Sequence, residues 1–101
     1  MVFSVQQIKY EFLAYIKEFG GEFNDYYVGV SSDPKIALFE HHGVNKEEDP
    51  WLYKQALTFP AVQTVQNYFV QRLGTDGLLI NNGDEDTDCV YIYKKSSKTK
   101  P

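Results

Sequence analysis

The chain has 101 residues, 43% hydrophobic and 16% aromatic, which excludes a disordered or low-complexity protein and bounds it to one domain. Its formal net charge is −4, but Lys94, Lys95, Lys98 and Lys100 fall in the last eight positions, leaving residues 1–93 with six basic against fourteen acidic side chains. Nucleic-acid binding draws affinity from a basic face, so this acidic body argues against nucleic acid as a partner.

In chain order, the first element is a helix over residues 4–19. Ser4 and Gln7 form a capping-box pair. Val5, Ile8, Phe12, Tyr15, Ile16 and Phe19 make one apolar stripe at three- and four-residue spacing, and Gly20-Gly21 stops it. Tyr26-Tyr27-Val28-Gly29-Val30 is rich in β-formers and reads as a strand. Asp33-Pro34 has the look of an N-cap with proline at the first helical position, which predicts a helix to about His42, ended by Gly43. Residues 45–50 are a polar loop, and Trp51 to Ala56 a second strand. A third helix runs from near Pro60 to Leu73, with Val62, Val65, Phe69 and Leu73 on one face and Gly74 as the stop. Residues 75–88 read as a long loop with a brief extended piece at Leu78-Leu79-Ile80. Cys89 to Tyr93 alternates and is the last strand.

These elements predict a single α+β domain over residues 1–95: a small sheet of about three strands flanked by about three helices. Residues 96–101 are expected to be a disordered tail. Cys89 is alone, so no intramolecular disulfide forms. The N-terminal stretch has no basic region followed by an apolar run, and no window approaches a membrane span. The expected compartment is the cytoplasm, with no membrane partner.

Tyr27-Val28-Gly29, followed by a polar turn with Asp33 and a short helix, resembles the second half of the GIY-YIG nuclease signature. Leu38 fits the apolar site after that signature's arginine slot, and His41 or His42 a histidine near the helix end. The likeness runs from Tyr26 to about Phe69. It implies a small mixed sheet in which the Tyr-Val-Gly strand lies beside a Gly-Ile-Tyr strand. No such strand precedes Tyr27. Val90 to Lys95 has its look, so a circular permutation is expected, with Tyr91 or Tyr93 in the first tyrosine's place.

Two charged groups of the family pattern are missing. Ala37 stands in the arginine slot. The resemblance implies a guanidinium there to stabilise developing phosphate charge, and such a donor is worth ~3–4 kcal/mol. Gln66 stands where the family's metal-binding glutamate falls, and a neutral amide is a poor lone ligand for Mg²⁺. Tyr27 alone would be a weak base near neutral pH, with an unperturbed pKa of about 10.

Other motifs carry little chemistry. His41-His42 diverge by about 100° on a helix, and one Cys with two His cannot fill a structural zinc site, so a histidine capping the helix end is the better reading. Asp84 to Asp88 lacks the Gly and Glu of a calcium loop, so a solvated acidic loop is expected. Gly74-Thr75-Asp76-Gly77 is a turn, not a phosphate loop. Trp51 and Phe59 are read as core residues, with a partner-binding patch as the alternative.

The expected function is therefore binding, without catalysis, to a protein partner or to itself, and without metal or other cofactor. The vestigial site residues are Tyr27, Gly29, Ala37, His41, Gln66 and Tyr91. The alternative is a divergent Mg²⁺-dependent nuclease using Tyr27, a tyrosine from residues 91–93, a histidine and an acid from the Asp84–Asp88 loop.

Overall fold

Helix α1 (Val5–Phe19) starts where its sequence signal places it. The Ser4 hydroxyl accepts from the Gln7 N–H (3.1 Å), and the Gln7 side-chain oxygen accepts from the Ser4 N–H (2.8 Å). Ile8, Phe12 and Ile16 are buried along its stripe. The computed structural model describes residues 1–101.

Strands β1 (Tyr26–Ser31), β2 (Trp51–Gln55) and β3 (Cys89–Lys94) form one sheet in the order β1-β3-β2. Both pairings are antiparallel, with Tyr27 opposite Tyr93, Gly29 opposite Tyr91 and Trp51 also opposite Tyr93. The expected neighbourhood of residues 26–30 and 90–94 is therefore present. The mixed pairing expected of the sheet shrinks to two isolated parallel bridges, Val2 to Gln55 and Tyr27 to Asp76.

Side chains alternate across the sheet, so its faces divide cleanly. Tyr26, Val28, Val90 and Ile92 face α1 and helix α2 (Phe59–Asn67) and join Ile8, Phe12, Phe59, Val62, Val65 and Phe69 in the main core. Phe59 is thus a core residue, as expected. Tyr27, Tyr91 and Tyr93 face the other way and pack with Ala37, Leu38 and Val44.

Helix α2 is capped by Thr58, whose hydroxyl accepts from the Ala61 N–H (3.2 Å). It continues as a π-helical turn, Tyr68–Leu73, and stops at Gly74, which takes the left-handed conformation at φ +92°. The helix expected after Pro34 is also present, with the Asp33 carboxylate accepting from Ile36 N–H (3.2 Å), but Ile36–His41 is wound as π-helix. The His42 N–H accordingly reaches back five residues to the Ala37 carbonyl (2.9 Å).

Two segments differ from expectation. The extended piece after α2 lies at Asp76, not at residues 78–80: Asp76 exchanges backbone bonds with Tyr26 and Val28 and covers the outer edge of β1. Residues 96–101, expected as a disordered tail, fold back on the body. Thr99 is buried, Ser96 and Thr99 bond each other, and the Lys100 N–H donates to the His42 carbonyl (2.7 Å).

Candidate functional site

The register places Tyr27, Tyr93, Tyr91 and Gly29 as neighbours on one face of the sheet. Tyr27 stacks on Tyr93 (centroids 5.4 Å apart) and on Tyr91 (6.3 Å). The ring of Tyr91 lies directly across Gly29, where only a hydrogen leaves room. Tyr27 is 8% exposed and Tyr91 4%; Ala37 and Leu38 of the π-helical turn Ile36–His41 pack against them, and the C-terminal segment holds that turn at Lys100.

His42 enters from the end of that turn. Its Nδ1 lies 2.7 Å from the Lys100 carbonyl, which only accepts, so Nδ1 carries the proton and donates. Nε2 is then the acceptor, and the Tyr91 hydroxyl donates to it (2.8 Å). The Tyr93 hydroxyl sits 3.1 Å from Nδ1 and shares its proton. Burial pushes the His42 pKa below its ordinary value, with the neighbouring His41 adding to this, while the Lys100 bond and the Asp76 charge oppose it. The neutral ring is therefore the native form.

The tyrosines are poor proton acceptors. Burial raises the pKa of Tyr27, a backbone hydrogen bond at Leu78 lowers it in part, and the Asp76 charge raises it further. Burial also raises Tyr91 and Tyr93 well beyond the ordinary phenol value. Phenolate at neutral pH is correspondingly scarce at all three positions.

The remaining sequence candidates scatter. Ala37 is buried beside Leu38 and Val44, so its slot holds packing and no charge. His41 is exposed in the last helical turn, and His42, which stands at the C-cap as expected of a histidine here, also joins the tyrosines. Gln66 is fully buried, and its amide nitrogen donates to the Val28 carbonyl (3.1 Å) and the Leu78 carbonyl (3.0 Å). It pins Leu78 to the β1 edge, and its side-chain oxygen has no partner. The Asp84–Asp88 acids stand elsewhere: the Asp84 carboxylate closes its own turn with Asp86 and Thr87, and the Asp88 carboxylate accepts from Gln55 at the far end of the sheet. Cys89 is buried, which pushes its thiol up to about 11. No group of three or more His, Cys, Asp or Glu side chains gathers as metal ligands.

Two residues of this site, Asp76 and Lys95, escape sequence reasoning. Asp76, read as part of a turn, feeds its charge to Tyr27, Tyr93 and His42 and pairs with Lys95 (3.3 Å). Both depend on pairing between distant segments, and no local motif announces that. Comparison with protein-family models, with curated proteins and with solved structures finds no match for this chain. No helix is long and apolar enough to cross a membrane.

A pH response follows from His42. Its depressed native pKa contributes stability that is present above the unfolded value of about 6.5 and is lost as pH falls through the native value. Urea midpoints measured between pH 7.5 and 5 are expected to fall more steeply for the native chain than for His42→Phe. Equal slopes would remove the neutral imidazole from the account.

Proposed function

We propose that this chain is a catalytically inactive GIY-YIG-like domain that acts in the cytoplasm by binding a protein partner or a second copy of itself. The observation that carries this reading is the state of the two slots where the family's chemistry needs charge. Ala37 is sealed in an apolar layer, and the Gln66 amide is spent on two backbone carbonyls. The pairing of the Tyr27 and Tyr91 strands supports the likeness, as does the histidine lodged between their tyrosines. The acidic body favours a protein partner over nucleic acid.

One observation favours a second reading, a divergent metal-dependent nuclease. A carboxylate and a cation, Asp76 and Lys95, stand at the rim of the tyrosine cluster. Such a set fits a Mg²⁺-assisted role only if Asp76 leaves Lys95 and binds the ion.

Incubation with single- and double-stranded DNA and RNA in Mg²⁺ or Mn²⁺ separates the two. No cleavage above the buffer blank is expected for the native chain. Cleavage that disappears in both Tyr27→Phe and Asp76→Asn would replace the binding reading with the nuclease one.

A further inference from the structure

Strand β2 is a free edge of the sheet. Its pairing with β3 turns the backbone groups of Leu52 and Lys54 inward and those of Trp51, Tyr53 and Gln55 outward. Two of the outward carbonyls are taken. The Tyr15 hydroxyl donates to Trp51 (2.9 Å), and the Phe3 N–H donates to Gln55 (2.8 Å). Between them the N–H and C=O of Tyr53 have no partner in the chain, which leaves a one-residue window for strand addition.

The side chains around that window suit a cation. The rings of Trp51 and Tyr53 are half-buried and nearly parallel, with centroids 6.2 Å apart, and Phe39 meets Trp51 edge-on at 5.0 Å. Lys46 of the chain itself already sits 6.0 Å above the Phe39 ring. Glu47 and Glu48 are exposed on the turn just before Trp51, and the Trp51 indole N–H ties that turn down by donating to the Lys46 carbonyl (2.9 Å). Lys54 does not oppose a visiting cation, because it lies on the other face, 3.7 Å from Glu11 and over the Phe3 ring.

We infer that the β2 edge docks an extended arginine- or lysine-bearing segment of a partner protein, which exchanges backbone bonds with Tyr53 and lays its cation over Trp51 and Tyr53 beside Glu47 and Glu48. This deepens the binding reading above and rests on it. The hydrogen bonds supply register, and the aromatic pair with the two carboxylates selects positive charge. A second copy fits less well. Two β2 strands paired about Tyr53 would set Trp51 of one against Gln55 of the other, and that stretch of edge is already held by Val2 and Phe3. Two bodies of net charge −4 would also repel. A short segment needs only the Tyr53 window.

Trp51 is the only tryptophan, so its emission reports this site alone. The probes are two capped heptapeptides, one alternating valine with arginine and the other valine with glutamate. The arginine peptide is expected to shift Trp51 emission saturably and to slow hydrogen exchange at the Tyr53 amide, and the glutamate peptide to do neither. Glu47→Lys/Glu48→Lys is expected to weaken binding about tenfold, the order for two reversed exposed charges. The inference is overturned if neither peptide binds, if both bind alike, if the charge reversal changes nothing, or if emission depends only on protein concentration, which would mark self-association. Failure of the peptides to bind leaves the outcome of the nuclease assay unchanged, and cleavage there does not alter these titrations.

Discussion

Gln66→Glu is expected to destabilise the fold by about 3–5 kcal/mol at pH 7.5, the range for a buried charge without a partner. The site is fully buried, and the amide nitrogen there donates to two carbonyl oxygens. A carboxylate would turn an acceptor toward those acceptors and leave its own charge unscreened. A loss of that size removes a fifth or more of the ~5–15 kcal/mol that holds a small domain together. Burial would raise the introduced carboxyl's pKa above its unfolded value, so the protonated form is favoured in the fold. The deficit is then full at high pH and shrinks as pH falls below the raised value. Gln66→Met keeps the shape and removes the donor, at about 1–3 kcal/mol. Guanidinium midpoints for the three proteins check this order, and a glutamate variant as stable as the native chain at pH 7.5 would show that Gln66 is not a buried clamp.

Gly29→Ala is expected to cost about 2–3 kcal/mol, although it adds one methyl group to a strand that prefers larger residues. A Cβ at Gly29 collides with the phenol of Tyr91, whose Cε1 would be 2.9 Å away and whose oxygen is closer still. The ring must swing, and its bond to His42 Nε2 goes with it. For a domain of about this size the loss corresponds to a fall in melting temperature on the order of 10–20 °C. Coupling gives the decisive control. In a Tyr91→Leu background the added methyl has space, so Gly29→Ala is expected to cost under about 1 kcal/mol there. An equal cost in both backgrounds would trace the penalty to something other than the phenol.

Local signals carried most of the architecture. The Ser4–Gln7 cap and the Ile8, Phe12, Ile16 spacing place α1 to the residue, and Gly74 marks the end of the last helix. The alternation at Cys89 to Tyr93 shows that Tyr91 and Tyr93 share a face, and the likeness to Gly-Ile-Tyr pointed to β1 as their neighbour. What stayed hidden is set by distance along the chain. His42 rather than His41 meets the tyrosines because the turn is π-wound, and five-residue hydrogen bonding leaves no mark in a pattern of apolar residues. Asp76 matters through backbone pairing with β1, which any residue type can make. Ser96 to Lys100 is polar and lysine-rich, so composition argued for a loose end, whereas the bonds to His42 come from main-chain groups.

The position of β3 has a kinetic consequence. It lies between β1 and β2, which make no ladder with each other, so neither can join a strand ladder until the last strand arrives. Tyr27 must then find Tyr93 across most of the polypeptide, and the entropy of closing that loop is spent before any ladder bond forms. Helix α1 can nucleate early on its own cap, but the sheet waits on one late segment reaching both edges. Refolding is accordingly expected to be slower than that of a helical bundle of the same length.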